Sequence, residues 1–277
     1  MPMKLIVESG STKSKWMLLD KGKVIDEQIL SGINATSNPN SLVHISEYQL
    51  AGKNEIDEIF FYGAGVSSDD ARAHLGKALR SKFGDVEVAM LHDILAAARS
   101  MSDGSKSITS ILGTGTNTVV YDGENIVENR KALGYLMADF GSGFHIGKIL
   151  IWKYYNYLMS EEDTALFKEK YISEDKDFIF GIYTSDKPNF EVASMSKFLN
   201  DCSPSLKEQV LDEAFTIFVQ NQIRPLDGHE QLPLHFVGSI SEVFRDQLEA
   251  VIRREGLVMG EISGDPSPGL IAYHTKS

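Results

Sequence analysis

Two short turns hold residues able to grip a phosphate. Ser9-Gly10-Ser11-Thr12-Lys13 follows an alternating run from Lys4 to Glu8, and Leu112-Gly113-Thr114-Gly115-Thr116-Asn117 follows Ile108, Ser110 and Leu112. Glycine lets the backbone come close to an anion, while neighbouring amides and a threonine hydroxyl supply donors. Two carboxylates stand at element junctions. Asp93 falls where a strand run ends and a helical run begins, and Asp139 precedes Phe140-Gly141-Ser142-Gly143 at the mouth of a long helical pattern. A carboxylate in such a place accepts a proton from a substrate hydroxyl, or else caps the helix. Phosphate-holding turns with an acidic neighbour suit phosphoryl transfer, in which positioning and electrostatics do most of the work.

The elements that must position these residues follow from periodicity. Lys4 to Glu8, Lys15 to Asp20 and Val24 to Leu30 read as three strands joined by tight turns. The same order of strand, glycine–threonine turn, strand, turn and strand recurs from Ser107 to Val127, which predicts two related lobes that each lend a phosphate-facing hairpin to a shared cleft. Ser31 to Asn40 is a polar loop rich in turn formers. Ile56 to Tyr62 and Val86 to Leu91 read as strands, and Ser68 to Phe83 as a helix capped by Ser68 with Asp69 and Asp70 in its first turn. Ile94 to Met101 is an alanine-rich helix. Gly141 to Met159 carries apolar and aromatic residues on most faces, so a buried helix is expected there, its aromatic run from Trp152 to Tyr157 reading as core first and as a dimer surface second. Ser160 to Asp177 reads as a charged, solvated helix, and Ser203 to Leu226 and Ser241 to Glu255 as further helices. Leu234 to Ile240 is a strand entering a glycine turn, Leu257 to Ile262 a short strand, and Ser267 to Tyr273 the start of a closing helix.

Composition narrows the partners. The 277 residues are enough for two lobes, and 42% hydrophobic with 24% charged residues is ordinary for a globular protein. A net charge of −12 argues against a nucleic-acid or anionic-membrane partner, which needs clustered Lys and Arg. One cysteine, Cys202, leaves no intramolecular disulfide and no thiolate metal cluster within one chain. His92, His145, His229 and His235 show no metal-ligand spacing. With neither a signal-peptide pattern nor a membrane-length apolar run, a cytoplasmic location is expected.

Taken in order, these motifs resemble those of the N-acetylglucosamine kinases, relatives of the BadF/BadG-type ATPases in the sugar kinase–actin–heat-shock ATPase superfamily. The resemblance covers most of the length and is weakest from Ser160 to Gln231. It implies an α/β fold of two ribonuclease-H-like lobes with ATP, Mg2+ and an amino sugar meeting in a cleft. It further implies an N-terminal lobe over 1–104, completed by 266–277, and a C-terminal lobe over 105–265, with a homodimer as the expected assembly.

Residue by residue, the resemblance places the phosphates against Gly10, Ser11, Thr12 and Lys13 and against Gly113, Thr114 and Gly115. Gly238 and Ser239 match the adenosine motif; the plain alternative is a strand-to-helix turn. Asp93 matches the catalytic base, with a helix cap as its alternative. Glu8 stands where the family usually has a magnesium-holding aspartate. Asn34, Asn117, Gly134 and Asp139 resemble sugar contacts, Asn38 being as good as Asn34 for the role. The family's Gly-Asp-Glu-Gly-Ser signature reads Ala138-Asp139-Phe140-Gly141-Ser142 here, so one carboxylate is lost and an apolar ring is added. Two other readings remain open. One is a sugar- and nucleotide-binding sensor with little turnover, motivated by Glu8 and Phe140. The other is an activator ATPase, whose iron–sulfur cluster needs two cysteines per subunit.

Overall fold

The computed structural model describes residues 2–10, 13–36, 38–49, 56–63, 65–66, 68–130, 132–172 and 177–276. The chain divides into two compact units, Met1–Ser102 with Pro266–Ser277, and Asp103–Asp265.

The first unit is built on β1 (Lys4–Ser9), β2 (Lys13–Asp20), β3 (Lys23–Ser31), β4 (Glu58–Gly63) and β5 (Glu87–Leu91), in the order β3-β2-β1-β4-β5. β1 to β3 form antiparallel hairpins, whereas β4 and β5 run parallel to β1 and each other. The parallel neighbours β4 and β5 need a crossover, supplied by the helix α1 (Asp69–Phe83), and α2 (Asp93–Met101) follows β5. β1 is apolar on both faces because both are covered. Leu5 and Val7 join a core with Trp16, Tyr48 and the α1 residues Leu75 and Leu79, while Ile6 joins Met17, Leu19, Tyr62 and Ala96 of α2. Ser68 caps α1 by accepting from the Ala71 amide, as its sequence pattern predicts, a device worth about 1 kcal/mol.

The second unit repeats the plan. Its strands are β6 (Ser107–Leu112), β7 (Thr116–Tyr121), β8 (Ile126–Asn129), β9 (Leu234–Val237) and β10 (Met259–Ser263), ordered β8-β7-β6-β9-β10, with β9 parallel to β6 and to β10. Between β8 and β9 lie α3 (Gly143–Tyr155), α4 (Glu161–Tyr171), α5 (Phe178–Thr184), α6 (Pro188–Ser194) and α7 (Pro204–Phe218); α8 (Ser239–Val243) and α9 (Arg245–Arg254) precede β10. One large core joins Leu112, Ile146, Leu150, Phe167, Phe215, Phe218 and Phe236. The chain then returns to the first unit as α10 (Ser267–Lys276), so close to α2 that a methyl on Gly269 would lie 1.9 Å from the Ser100 carbonyl oxygen.

Several expectations are corrected. The helix expected over Gly141 to Met159 is shorter and is not buried all round, since Trp152 and Tyr155 are exposed. The region expected as one solvated helix from Ser160 is α4, with Asp163 and Phe167 buried. The Asp163 carboxylate accepts from the amide and hydroxyl of Ser203, joining the start of α4 to that of α7. The helix from Ser203 ends in a single wide turn over Val219–Ile223, and that from Ser241 is two pieces broken at Phe244.

Candidate functional site

In the first unit the candidate residues collect at the carboxyl ends of the parallel strands, where open α/β sheets bind ligands. Glu8, Tyr62 and Leu91 stand side by side across β1, β4 and β5. Glu8 shares a strand face with Ile6, the face that α2 covers, and is partly buried. Asp93 follows two residues beyond Leu91, roughly two strand spacings (about 10 Å) from the end of β1. It is the first residue of α2 and not its cap: His92 holds the cap position, without a side-chain capping bond. Asp93 Oδ1 accepts from the Ile94 amide at 2.8 Å, and Oδ2 accepts no hydrogen bond among the described residues. Burial raises the Asp93 carboxyl above its ordinary value, against the opposing pull of the Ile94 amide and His92. His92 is exposed and meets Arg72 (3.4 Å), with no hydrogen bond to Asp93 among the described residues.

The β1–β2 turn closes by the Gly10 amide donating to Lys13 O at 3.0 Å, with Lys13 opening β2; Ser11 and Thr12 lie outside the described residues. Ser9, a residue sequence reasoning passed over, holds the neighbouring loop. Its hydroxyl accepts from the Ile33 amide (2.8 Å) and lies 3.0 Å from Ile33 O. Asn34 follows, its amide donating to Ser41 Oγ and its carbonyl accepting from Asn38 at 2.9 Å each. Gly65 lies against this backbone so closely that a methyl there would come within 2.5 Å of the Ala35 nitrogen. Asn34 and Asn38, equal candidates by sequence, are thus paired across one small loop, Asn34 the more buried.

The second unit joins the glycine turn and the acidic motif into one structure. The turn closes by the Gly113 amide donating to Gly115 O. The first two amides of α3, those of Gly143 and Phe144, donate to Gly113 O (2.8 Å) and Thr114 O (3.2 Å). These helix-start donors therefore clamp the turn, and anion contact falls to the Thr114 hydroxyl and the amides of Thr114 and Gly115, which have no partner among the described residues. Asp139, at φ 57° and 9% exposed, sets its carboxylate directly over Gly115; a methyl on Gly115 would lie 2.6 Å from Oδ2. Burial raises the Asp139 carboxyl, opposed by the Thr116 backbone amide.

The loop carrying Asp139 is pinned on three sides. Thr116 Oγ1 donates to Phe140 O (2.8 Å), the Ser142 amide to Asp139 O (3.2 Å), and the Gly141 amide to His145 Nδ1 (3.0 Å). Burial, then Lys148, lowers His145 to about 4, so the ring is neutral and able to accept. Gly238, at φ 125°, packs on the end of β6, where a methyl would lie 2.4 Å from Leu112 O, and Ser239 is exposed at the start of α8. Asn117 sits on β7 opposite Ile111, with its buried Oδ1 lacking a hydrogen-bond partner. Gly134 is exposed in the turn leading to Asp139, at φ 74°, its carbonyl accepting from Ala138.

Comparison with solved structures now decides the kinship. A "Putative N-acetylglucosamine Kinase" from Porphyromonas gingivalis matches 99% of this chain and 99% of its own at 31% identity, with a TM-score of 0.89. The chain belongs to the N-acetylglucosamine kinase family. Its α/β fold is that of the actin-like ATPases, with a ribonuclease-H-like sheet in each of two lobes. More distant matches show the same fold. A "Putative N-acetylglucosamine Kinase" from Chromobacterium violaceum is 17% identical over 99% of both chains (TM-score 0.74). A ROK family glucokinase from Streptomyces griseus, solved with glucose and AMPPNP, is 15% identical over 98% of this chain and 97% of its own (TM-score 0.56). No protein-family model matches the chain, and no curated protein does.

Phe140, which stands where the family signature has a glutamate, packs its ring against the main core of the second unit and meets His145 edge-on (5.6 Å, 87°). His145 and Thr116 are the functional candidates that sequence reasoning missed. The spacing of Gly141 to His145, one helical turn, is a signal by which the former could have been found.

Proposed function

We propose that this chain transfers a phosphoryl group from ATP, with Mg2+, to a hydroxyl of an amino sugar, N-acetylglucosamine or a close relative, and that it does so as a homodimer in the cytoplasm. The observation that carries this is Asp93: a carboxylate at the open end of a parallel strand, anchored by one oxygen and raised by burial toward the working range of a base. The full-length likeness to the Porphyromonas gingivalis protein supports the choice of substrate class.

Gly10, Ser11, Thr12 and Lys13 of the first unit, with Gly113, Thr114 and Gly115 of the second, would take the phosphates, and Gly238 and Ser239 the adenosine. Bound Mg·ATP supplies the phosphoryl group and neutralises its charge. The residues fit that group. The Thr114 and Gly115 amides have no competing partner among the described residues, and Gly238 has no side chain between the backbone and a flat base. Glu8 would hold the ion, with phosphate and water completing the shell; no group of three or more His, Cys, Asp or Glu side chains placed to hold a metal ion exists among the described residues. Asn34, Asn117, Gly134 and Asp139 would hold the sugar, the unpartnered Asn117 Oδ1 accepting from a hydroxyl. Asp93 Oδ2 accepts the proton of the attacking hydroxyl as transfer proceeds.

A coupled ADP-release assay over N-acetylglucosamine, glucosamine, N-acetylmannosamine, N-acetylmuramic acid and glucose tests this. Asp93→Asn keeps the Oδ1 acceptor for Ile94 but loses the base, so turnover should drop by about 10²–10⁴ with nucleotide affinity unchanged. Wild-type turnover in that variant removes Asp93 from the role. Sugar and nucleotide binding by calorimetry without ADP release over the panel favours a sensor instead.

A further inference from the structure

α3 and α5 present an aromatic face that the second unit leaves uncovered. α5 reads Phe178-Ile179-Phe180-Gly181-Ile182-Tyr183-Thr184, yet none of its residues is fully buried. It runs back along α3: Phe178 stacks on Tyr155 at 6.5 Å, and Ile182 packs on the same small cluster (Phe144, Val192, Ala193) as Ile151. Outward stand Trp152 (54% exposed), Tyr155 (46%), Phe180 (65%) and Tyr183 (84%), with Tyr157 (90%) just past α3. At about 150–250 Å² per aromatic side chain, these five offer on the order of 700 Å². A stable protein–protein contact needs roughly 800 Å² from each partner.

Two further observations say what covers the face. A chain of net charge −12 repels its own copies least where acids are few, and residues 154–159 and 178–185 contain no charged side chain, Asp177 at the cap of α5 bounding the face beside Tyr155. Lys153, just before the first stretch, is buried against Glu213 at 3.3 Å. In addition, α3 ends with the Leu158 amide on Lys153 O and the Tyr157 amide on Tyr154 O, the double bond of a Schellman cap. That cap wants glycine in its left-handed position, but Tyr157 holds φ 57° there with its ring in solvent. Backbone strain spent on displaying an aromatic ring gains nothing within one copy.

We propose that the α3–α5 aromatic face is the surface through which two copies of this chain associate. It rests on the homodimer reading above and not on the phosphotransferase chemistry, so kinetic failure leaves it standing. The test is sedimentation velocity and light scattering on the full chain, wild type against Tyr183→Glu, Tyr157→Gly and the control Ile29→Glu, the last altering an exposed apolar residue of β3 in the other unit. Wild type should be dimeric, Tyr183→Glu should weaken association at least about 30-fold, and Ile29→Glu should change nothing. Tyr157→Gly should weaken association while raising the melting temperature of the monomer, a combination that mere loss of folding cannot produce. A wild type monomeric at about 100 μM overturns both the surface and the homodimer. Dimers unaffected by Tyr183→Glu and Tyr157→Gly, or broken by Ile29→Glu, overturn the surface alone.

Discussion

Replacing Gly115 by alanine should damage sugar recognition through Asp139 and through little else. Gly115 is not among the residues with positive φ, so alanine meets no backbone penalty, and the stiffer chain gains about 0.4–1 kcal/mol against the unfolded state. The new methyl, however, would lie 2.6 Å from Asp139 Oδ2 and 3.2 Å from its Cγ. Comfortable contact needs about 3.5 Å, so the carboxylate must move by roughly 0.9 Å. Asp139 is buried and its backbone is pinned, so the shift costs about 1–3 kcal/mol of overpacking and misplaces the carboxylate by nearly the ~1 Å that lowers rates about 100-fold. Initial rates should show kcat/KM for the sugar down about 100-fold, with KM for ATP within about threefold. Asp139→Gly removes the obstructing oxygens and suits the left-handed φ, so on that background Gly115→Ala should add almost nothing. The coupling would then be about 2.7 kcal/mol, far above the few tenths expected of independent sites. Strict additivity of the two changes, or near-normal kinetics in Gly115→Ala, refutes the steric link.

Further outcomes follow from the buried titratable groups. Asp93 is raised by burial, so its ionised form costs the native state stability as pH rises through the folded value. Asp93→Asn should therefore melt higher than wild type near pH 7.5, with the gap closing as pH falls below the folded value, while kcat/KM of wild type should decline on the acid side at a pH above the ordinary carboxylate range. His145 (about 4) and His274 (about 3) are both lowered chiefly by burial, His274 also by Arg99 and Lys4. Each stays neutral in the native state but gains a proton on unfolding below about pH 6.5. The stability they lend is thus complete above that pH and is lost as pH falls toward the folded values. Urea unfolding between about pH 6 and 4 should lose about 1.4 kcal/mol per pH unit for each histidine, partly offset by Asp93 and Asp139, and His274→Gln should flatten the slope. No change in slope in that variant would count against a neutral His274 beside the Tyr62 hydroxyl (2.8 Å).

How much of this could be read from the chain depends on range. The strands of both sheets were legible because Leu5, Val7, Trp16 and Leu18 alternate or run apolar in short stretches bounded by glycine turns, and the Ser68 cap because its partners lie within one turn. The shared sheet order came from repetition of local pieces. By contrast, the short 3-10 helix Pro39–Glu47, α5 and α6 drew no helical reading, being too short to show a period. Trp152 and Tyr155 were read as core, since composition cannot separate a helix buried in its own domain from one that keeps an apolar face outward. At the site, Asp93 and the glycine turns were visible as types at element ends. The closeness of Asp139 to Gly115 was not. It depends on the Gly143 and Phe144 amides docking on carbonyls some thirty residues earlier, a tertiary bond with no local signature.

Phe140 shows why a signature letter and a signature position are different things. Were its ring simply standing where the family's glutamate faces the sugar, Phe140→Glu would be tolerated and would strengthen sugar binding. Instead the ring packs on the core of the second unit and edge-on to His145, the residue that holds the Gly141 amide. A glutamate there loses an aromatic contact and brings a charge against apolar neighbours, so it must either stay buried and protonated or drag the loop outward. Either way about 2–4 kcal/mol should be lost, the sum of forfeited apolar burial and uncompensated polar burial. Phe140→Leu, which keeps the apolar contact, should lose less than half as much. Urea unfolding separates the two, and the kinetics add a second check: the glutamate variant should bind sugar more weakly, because movement of residue 140 carries Asp139 with it. A stable Phe140→Glu variant with improved sugar affinity would mean that the ring turns toward the substrate in solution, and that the missing carboxylate, not the packing of the loop, limits recognition.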